Sequence, residues 1–290
     1  MLNTNYTIST EVSKSPDLVF NFITNLSGWW VEEFVGEALQ ADSTFILKMG
    51  DAHFSKNKVI EFLPGRKFTW VTTESRRSSD NFDWTGTKMI FELLPTGGGT
   101  KVIFTYNGVV FDNEQNKLKE ICDYCIKDLL YKCLESFTTS IEVFAPAEKI
   151  FHCINSIPAW WTKDFEGACS KSDDEFTIDH PDQHYSKQKV VEVIRNKKLV
   201  WLVMESEMPW LEHNRKEWTN TKMTFELSDD NKTLHFTHLG LTPDLECYAL
   251  CAKGWTMVIN DWLSYYIAHG AASPDMPKAP EIREEMLKTK

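Results

Sequence analysis

Two sets of side chains in this chain have the types and spacing to do chemistry. His53, Ser55, Asn57, Val59 and Glu61 alternate along one β run, and His184, Ser186, Gln188, Val190 and Glu192 alternate along another. Alternation places each set on one face of its strand. Histidine, serine and glutamate are the residues of acid–base and nucleophilic relays, but a hydrolytic triad needs convergent groups from different elements. Glu61 sits roughly 20 Å along the strand from Ser55 at ~3.3 Å per residue, too far for a relay. No catalytic residue is therefore expected. The two sets read as polar pocket-wall or strand-end residues, with His53 and His184 as candidate ligand contacts.

Other motifs are weaker. Cys122-x-x-Cys125 lies among Leu118, Ile121, Ile126, Leu129 and Leu130, inside a helix. A thioredoxin-like pair would instead open a helix after a strand. Cys247 and Cys251 stand one helical turn apart, a packing arrangement. His235 and His238 fall on opposite strand faces and cannot share a metal. Gly97-Gly98-Gly99 joins two strands and reads as a hairpin turn, not a phosphate loop. No metal and no cofactor are expected. The net charge of −11 argues against a nucleic-acid partner. No apolar run reaches the ~20 residues of a membrane span. Seven cysteines and no export signal point to free thiols in the cytoplasm.

The elements that position these residues occur twice. Residues 51–75 align without a gap on 182–206 with 11 of 25 positions identical, far above chance. Trp29-Trp30 recurs as Trp160-Trp161, and Trp84–Leu93 recurs as Trp218–Leu227. Each copy runs as a strand, a short helix opened by Pro16 or Pro146, five to six strands, and a long closing helix. The long helices are expected at 113–137 and 243–269. Strands in succession without helices between them imply an antiparallel sheet. The expected fold is α+β with two tandem domains, 1–137 and 138–270, followed by an extended tail, 271–290. The tail is expected to end in a helical turn near 281–287. The short junction suggests a nearly fixed orientation of the two copies.

This order resembles the START-like helix-grip (SRPBCC) superfamily. More closely, it is similar to the family named after the activator of heat-shock protein 90 ATPase. The residues that carry the resemblance begin with the Trp pairs, Val59-x-Glu61, Val190-x-Glu192 and Lys198-Leu199-Val200-Trp201. Thr221–Leu227 belongs with them, as does Phe236-Thr237-His238-Leu239-Gly240-Leu241, which leads into Gly254-Trp255. The second copy fits better, because the first has Cys122 or Asp123 where the helical Gly-Trp should fall. The resemblance implies a curved antiparallel sheet gripping the long helix, with an apolar cavity between them.

The expected function is non-catalytic binding of a small apolar or amphipathic molecule in that cavity. Expected liners are Trp30, His53, Trp70, Met89 and Phe91 in copy one. In copy two they are Trp161, His184, Trp201, Met223, Phe225 and Trp255, with strand parity leaving the side of the Trp residues open. Two alternatives remain. One is a chaperone-associated module that binds another protein. The other is a cavity enzyme of cyclase or hydrolase type. Tyr248, Trp255 and Trp262 recur every seven residues on the second long helix, where copy one has smaller side chains. From this the first copy is expected to have the roomier cavity and the second to be largely filled.

Overall fold

The structure, a computed structural model, describes residues 4–26, 29–31, 33–50, 53–77, 83–109, 116–180 and 183–276. The chain divides into two compact units, Met1–Glu135 and Ser136–Lys290, where the sequence reading set its boundary at 137/138.

Unit 1 opens with β1 (Thr4–Val12) and α1 (Pro16–Thr24). Pro16 starts α1 because its fixed φ suits a first helical turn and its missing N–H costs nothing there. Six strands follow: β2 (Glu33–Gly36), β3 (Thr44–Met49), β4 (His53–Leu63), β5 (Lys67–Arg77), β6 (Lys88–Thr96) and β7 (Gly99–Val109). They form one antiparallel sheet in the order β1-β7-β6-β5-β4-β3-β2. The long helix α2, residues 116–135, closes the unit and contains a π-helical stretch, Tyr124–Leu129.

Unit 2 repeats this plan. β8 (Phe137–Glu142) and α3 (Ala147–Asn155) precede a 3₁₀ turn, Ile157–Ala159, that delivers Trp160 and Trp161. The strands β9 (Phe165–Gly167), β10 (Glu175–His180), β11 (His184–Ile194), β12 (Lys198–Glu207), β13 (Lys222–Leu227) and β14 (Thr233–Leu239) follow. Their order, β8-β14-β13-β12-β11-β10-β9, matches that of unit 1. The long helix α4, residues 248–269, carries a π-helical stretch, Met257–Leu263.

The alternation seen in the sequence builds each core. On β13, Met223, Phe225 and Leu227 are fully buried, while Lys222 and Glu226 face out. Burying each such apolar side chain stabilises the unit by roughly 1.5–3 kcal/mol. Each unit has seven strands, the upper count of the sequence reading. Two of them, β2 and β9, are short and largely exposed. They end at Gly36 (φ +110°) and Gly167 (φ +117°), a conformation open to glycine. A Cβ at Gly167 would sit 2.3 Å from the Glu175 carbonyl oxygen, so the close pairing of β9 with β10 needs glycine.

Two further expectations are corrected. Glu61 and Glu192 do not share a face with the His-Ser pairs. A β-bulge lies between Val59 and Glu61, and another between Val190 and Glu192. One extra residue reverses the parity beyond it. Glu61 therefore faces out and pairs with Lys67 at 3.1 Å, as Glu192 pairs with Lys198 at 3.1 Å. The tail does not leave the domain at 271, because Met276 is buried in the core cluster of unit 2. The helical turn expected near 281–287 lies outside the described residues.

Candidate functional site

The chain enters α4 through Glu246 and the N-cap residue Cys247, whose backbone N–H groups have no acceptor inside the helix. Glu217 supplies acceptors from the loop before β13. Its carboxylate takes the N–H of Glu246 at 3.0 Å and of Cys247 at 2.8 Å. Glu246 in turn accepts from the N–H groups of Glu212 (3.0 Å) and His213 (3.1 Å). These bonds fasten the segment 208–218 to the start of the helix.

A second network fixes the ring of Trp255. Its indole Nε1 donates to Nδ1 of His238 at 2.9 Å. On the other side of the imidazole, Nε2 lies 2.9 Å from Thr221 Oγ1, and that hydroxyl donates to the Trp218 carbonyl at 2.6 Å. Nδ1 is thus an acceptor and Nε2 carries the proton. Full burial pushes the His238 imidazole down from its ordinary 6.5 to about 3, so it is neutral.

These two networks frame a cavity of about 130 Å³ in unit 2. It lies at the rim of the grip, where the β10–β11 hairpin, the segment 208–218 and the first half of α4 meet. Trp161, Trp210, Trp218 and Trp255 supply ring walls. Met208, Cys251 and Met257 add sulfur, and Leu250, Gly254 and Val258 complete the helix side. His180, Gln183 and His184 make the polar corner. Trp161 lies 4.9 Å from Trp255, and Trp218 stacks on Trp255 at 5.9 Å. Trp210 is held by its N–H bond to the Gln183 carbonyl, 2.9 Å. The wall contains no Lys, Arg, Asp or Glu among the described residues.

The polar corner is ordered from below. Nε2 of His184 lies 2.8 Å from Ser186 Oγ. The Gln188 amide is assigned so that its nitrogen donates to the carbonyls of Phe176 and Ser186, each at 3.1 Å. Its oxygen then accepts from Ser186 Oγ at 2.5 Å. Ser186 can therefore only accept from His184, which holds its proton on Nε2. His180 Nδ1 lies 2.6 Å from the Asp164 carboxylate.

Of the second-copy residues expected at a pocket, Trp161, His184 and Trp255 stand on the wall. Trp201, Met223 and Phe225 stand one layer behind it, fully buried. Trp161 stacks over Trp201 at 6.3 Å, and Trp201 packs on Phe225 at 4.9 Å. The centre of the grip is filled by these rings, which displaces the cavity to the rim. The centre of the second copy is thus filled, and its additional aromatics Trp210 and Trp255 frame the space that is left at the rim.

In unit 1, Trp30, Trp70 and Phe91 form one ring cluster with centroids 5.8–6.2 Å apart. Met89 is partly buried against that core, and His53 packs on Trp84 at 5.0 Å. The comparison of cavity size between copies turns on residues 110–115 and on the start of α2, which lie outside the described residues and side chains.

Sequence reasoning did not single out His180, Gln183, Met208, Trp218 or His238 as site residues. Trp218 sat in the repeated block, and Gly254 stood with Trp255 in the motif that carries the resemblance. His238 stood in the motif that carries the resemblance, but it was not read as a partner of Trp255, which belongs to another element. All seven cysteines are free thiols. Burial raises the Cys122 thiol to about 12 and also raises Cys125, the opposite of an activated pair. The neighbouring Cys251 thiol and burial likewise raise Cys247. Among the described residues, no three His, Cys, Asp or Glu side chains gather around a metal position. No described helix is long and apolar enough to cross a membrane.

Each unit is thus an α+β helix-grip fold, a seven-stranded antiparallel sheet with a long closing helix, and the two occur in tandem along the chain. Among solved structures, the chain is similar to the Aha1 dimer from Colwellia psychrerythraea, at 20% identity and a TM-score of 0.38. That match covers 47% of this chain and 97% of the other. DynU16, a protein of the dynemicin biosynthetic locus, is similar over 88% of this chain and 96% of its own, at 12% identity and a TM-score of 0.35. CalU16 from Micromonospora echinospora matches 44% of this chain and 73% of its own, at 16% identity and a TM-score of 0.35. No protein-family model matches the chain, and no curated protein matches it.

Proposed function

We propose that unit 2 binds a small apolar or amphipathic molecule and performs no reaction on it. The cavity walled by four tryptophans carries this reading. Apolar and aromatic walls with a few placed polar groups are the composition of a small-molecule site. His180, Gln183 and His184, gathered at one corner, offer the polar anchor for an amphipathic guest. The Ser186 hydroxyl beneath them is fully buried and already committed to Gln188, so it is not a nucleophile.

The test uses the full chain. Toluene is titrated while indole fluorescence is followed, and protein purified from cells is weighed by native mass spectrometry. Saturable fluorescence change, or a retained small molecule, is the expected result. No change up to toluene saturation, together with a bare mass, would refute the reading.

A further inference from the structure

The shape and chemistry of the unit 2 wall narrow the guest, given the binding reading above. A cavity of about 130 Å³ is close to the ~150 Å³ engineered cavity that takes up benzene. It accommodates one six-membered ring between its walls, and because the pocket opens to solvent at the rim, the second ring of a fused pair would stand outside them. Flat ring walls leave least void against a flat guest, and aromatic pairs add roughly 0.5–1.5 kcal/mol beyond area burial. The sulfur atoms of Met208, Cys251 and Met257 favour ring edges in the same way. Among the described residues, a buried charge on the guest would find no Lys, Arg, Asp or Glu on the wall and would be desolvated without such a partner.

Gly254 gives an independent observation. It lies inside α4, where glycine costs about 1 kcal/mol relative to alanine. A Cβ placed there would meet nothing within 4 Å, and the residue lines the cavity. No close approach of backbone explains the glycine, but kept space does.

The duplication supplies a comparison within the chain. The π-helical stretches begin at Tyr124 and Met257, so counting back from them sets Ile121 and Cys122 opposite Gly254 and Trp255. His238 pairs with Met223 across the sheet as Tyr106 pairs with Met89. The bond from Thr87 to the Trp84 carbonyl, 2.7 Å, repeats the bond from Thr221 to Trp218. The scaffold is the same, but Gly, Trp and His have become Ile, Cys and Tyr together.

We propose that the unit 2 cavity seats one uncharged ring of about benzene size over Gly254 and against Trp255, with His238 as the positioning residue that holds Trp255 in the wall. The chemical class is a monocyclic aromatic compound, or a larger molecule that buries one such ring.

The full chain is titrated calorimetrically with benzyl alcohol, 1-naphthylmethanol and hexan-1-ol. Benzyl alcohol is expected to bind at least tenfold more tightly than either of the others. Gly254→Ala is expected to raise the melting temperature of unit 2 while weakening benzyl alcohol at least tenfold, a pairing that a purely structural glycine would not produce. The double variant His238→Tyr, Trp255→Cys is expected to reverse the preference between one ring and two. Because Gly254→Ala keeps the core, the test survives if the double variant does not fold. Equal affinity for 1-naphthylmethanol or hexan-1-ol, or unchanged affinity in Gly254→Ala, would overturn the ring proposal and leave the binding reading standing. Binding of none of the three would overturn both.

Discussion

His238 shows how much one buried side chain can decide. It touches no solvent, yet it holds the indole of Trp255 on one side and a threonine of β13 on the other. Its folded value is about 3 against an ordinary 6.5. The unfolded chain therefore takes up the proton first. The stability linked to this residue is whole above pH 6.5 and is lost as the pH falls toward 3, by up to roughly 1.4 kcal/mol per pH unit. Unfolding free energies of the native chain and His238→Gln, measured from pH 7 to 4.5, isolate the effect because glutamine does not titrate. The native advantage over the variant is expected to shrink by roughly 2–3 kcal/mol across that range. A constant difference would mean that the imidazole is already charged in the fold. At this scale the sequence was only partly legible. Alternation put His235 and His238 on opposite faces, which the structure has. It could not reveal the partner of His238, which lies 17 residues on in another element.

At the scale of elements, alternation and turn residues located most strands, since an apolar face needs no knowledge of its partner to be recognised. The left-handed turn after β4 uses Gly65, and the equivalent turn after β11 uses Asn196, both residues that tolerate positive φ. Three features were not legible for physical reasons. β2 and β9 are too short and too exposed to alternate. The π-helical stretches keep the same apolar face as an α-helix. The bulges that turn Glu61 and Glu192 outward add a residue without changing the composition of the strand.

The segment 208–217 was equally silent, although it carries Met208 and Trp210 of the cavity wall. It is held to α4 by Glu217, whose carboxylate caps two N–H groups of the helix start. A hydrogen bond to a charged group contributes about 1.5–3 kcal/mol. Glu217→Ala is therefore expected to lower the stability of unit 2 by about 2 kcal/mol and to weaken toluene binding severalfold. Glu212 takes part in this network only through its backbone N–H, so Glu212→Ala is expected to change neither. Denaturant melts and fluorescence titrations on the two variants make the comparison. Equal behaviour would show that the segment is held by something other than the carboxylate.

For the whole molecule, the composition holds an asymmetry that the structure gives a place. Trp29, Trp30, Trp70 and Trp84 have counterparts in the second copy, and Trp210, Trp255 and Trp262 do not. All three lie in unit 2. Trp210 and Trp255 wall the cavity, while Trp262 is buried in the core beside it. A duplicated fold has thus kept one scaffold and placed two of its three added rings around one space.

A guest that binds only the folded form stabilises it by RT ln(1 + [L]/Kd), about 2.7 kcal/mol at a hundredfold excess over Kd. If the guest occupies the rim cavity, that gain belongs to the unit that contains it. Hydrogen exchange with and without saturating benzyl alcohol is expected to slow amides in α4 and in β10, β11 and the end of β12, which frame the cavity. The strands β3 to β7 are expected to exchange at unchanged rates. Equal protection of the two sheets would place a second guest in unit 1. Ile121, Cys122 and Tyr106 would then be a different wall for the same purpose rather than the loss of one.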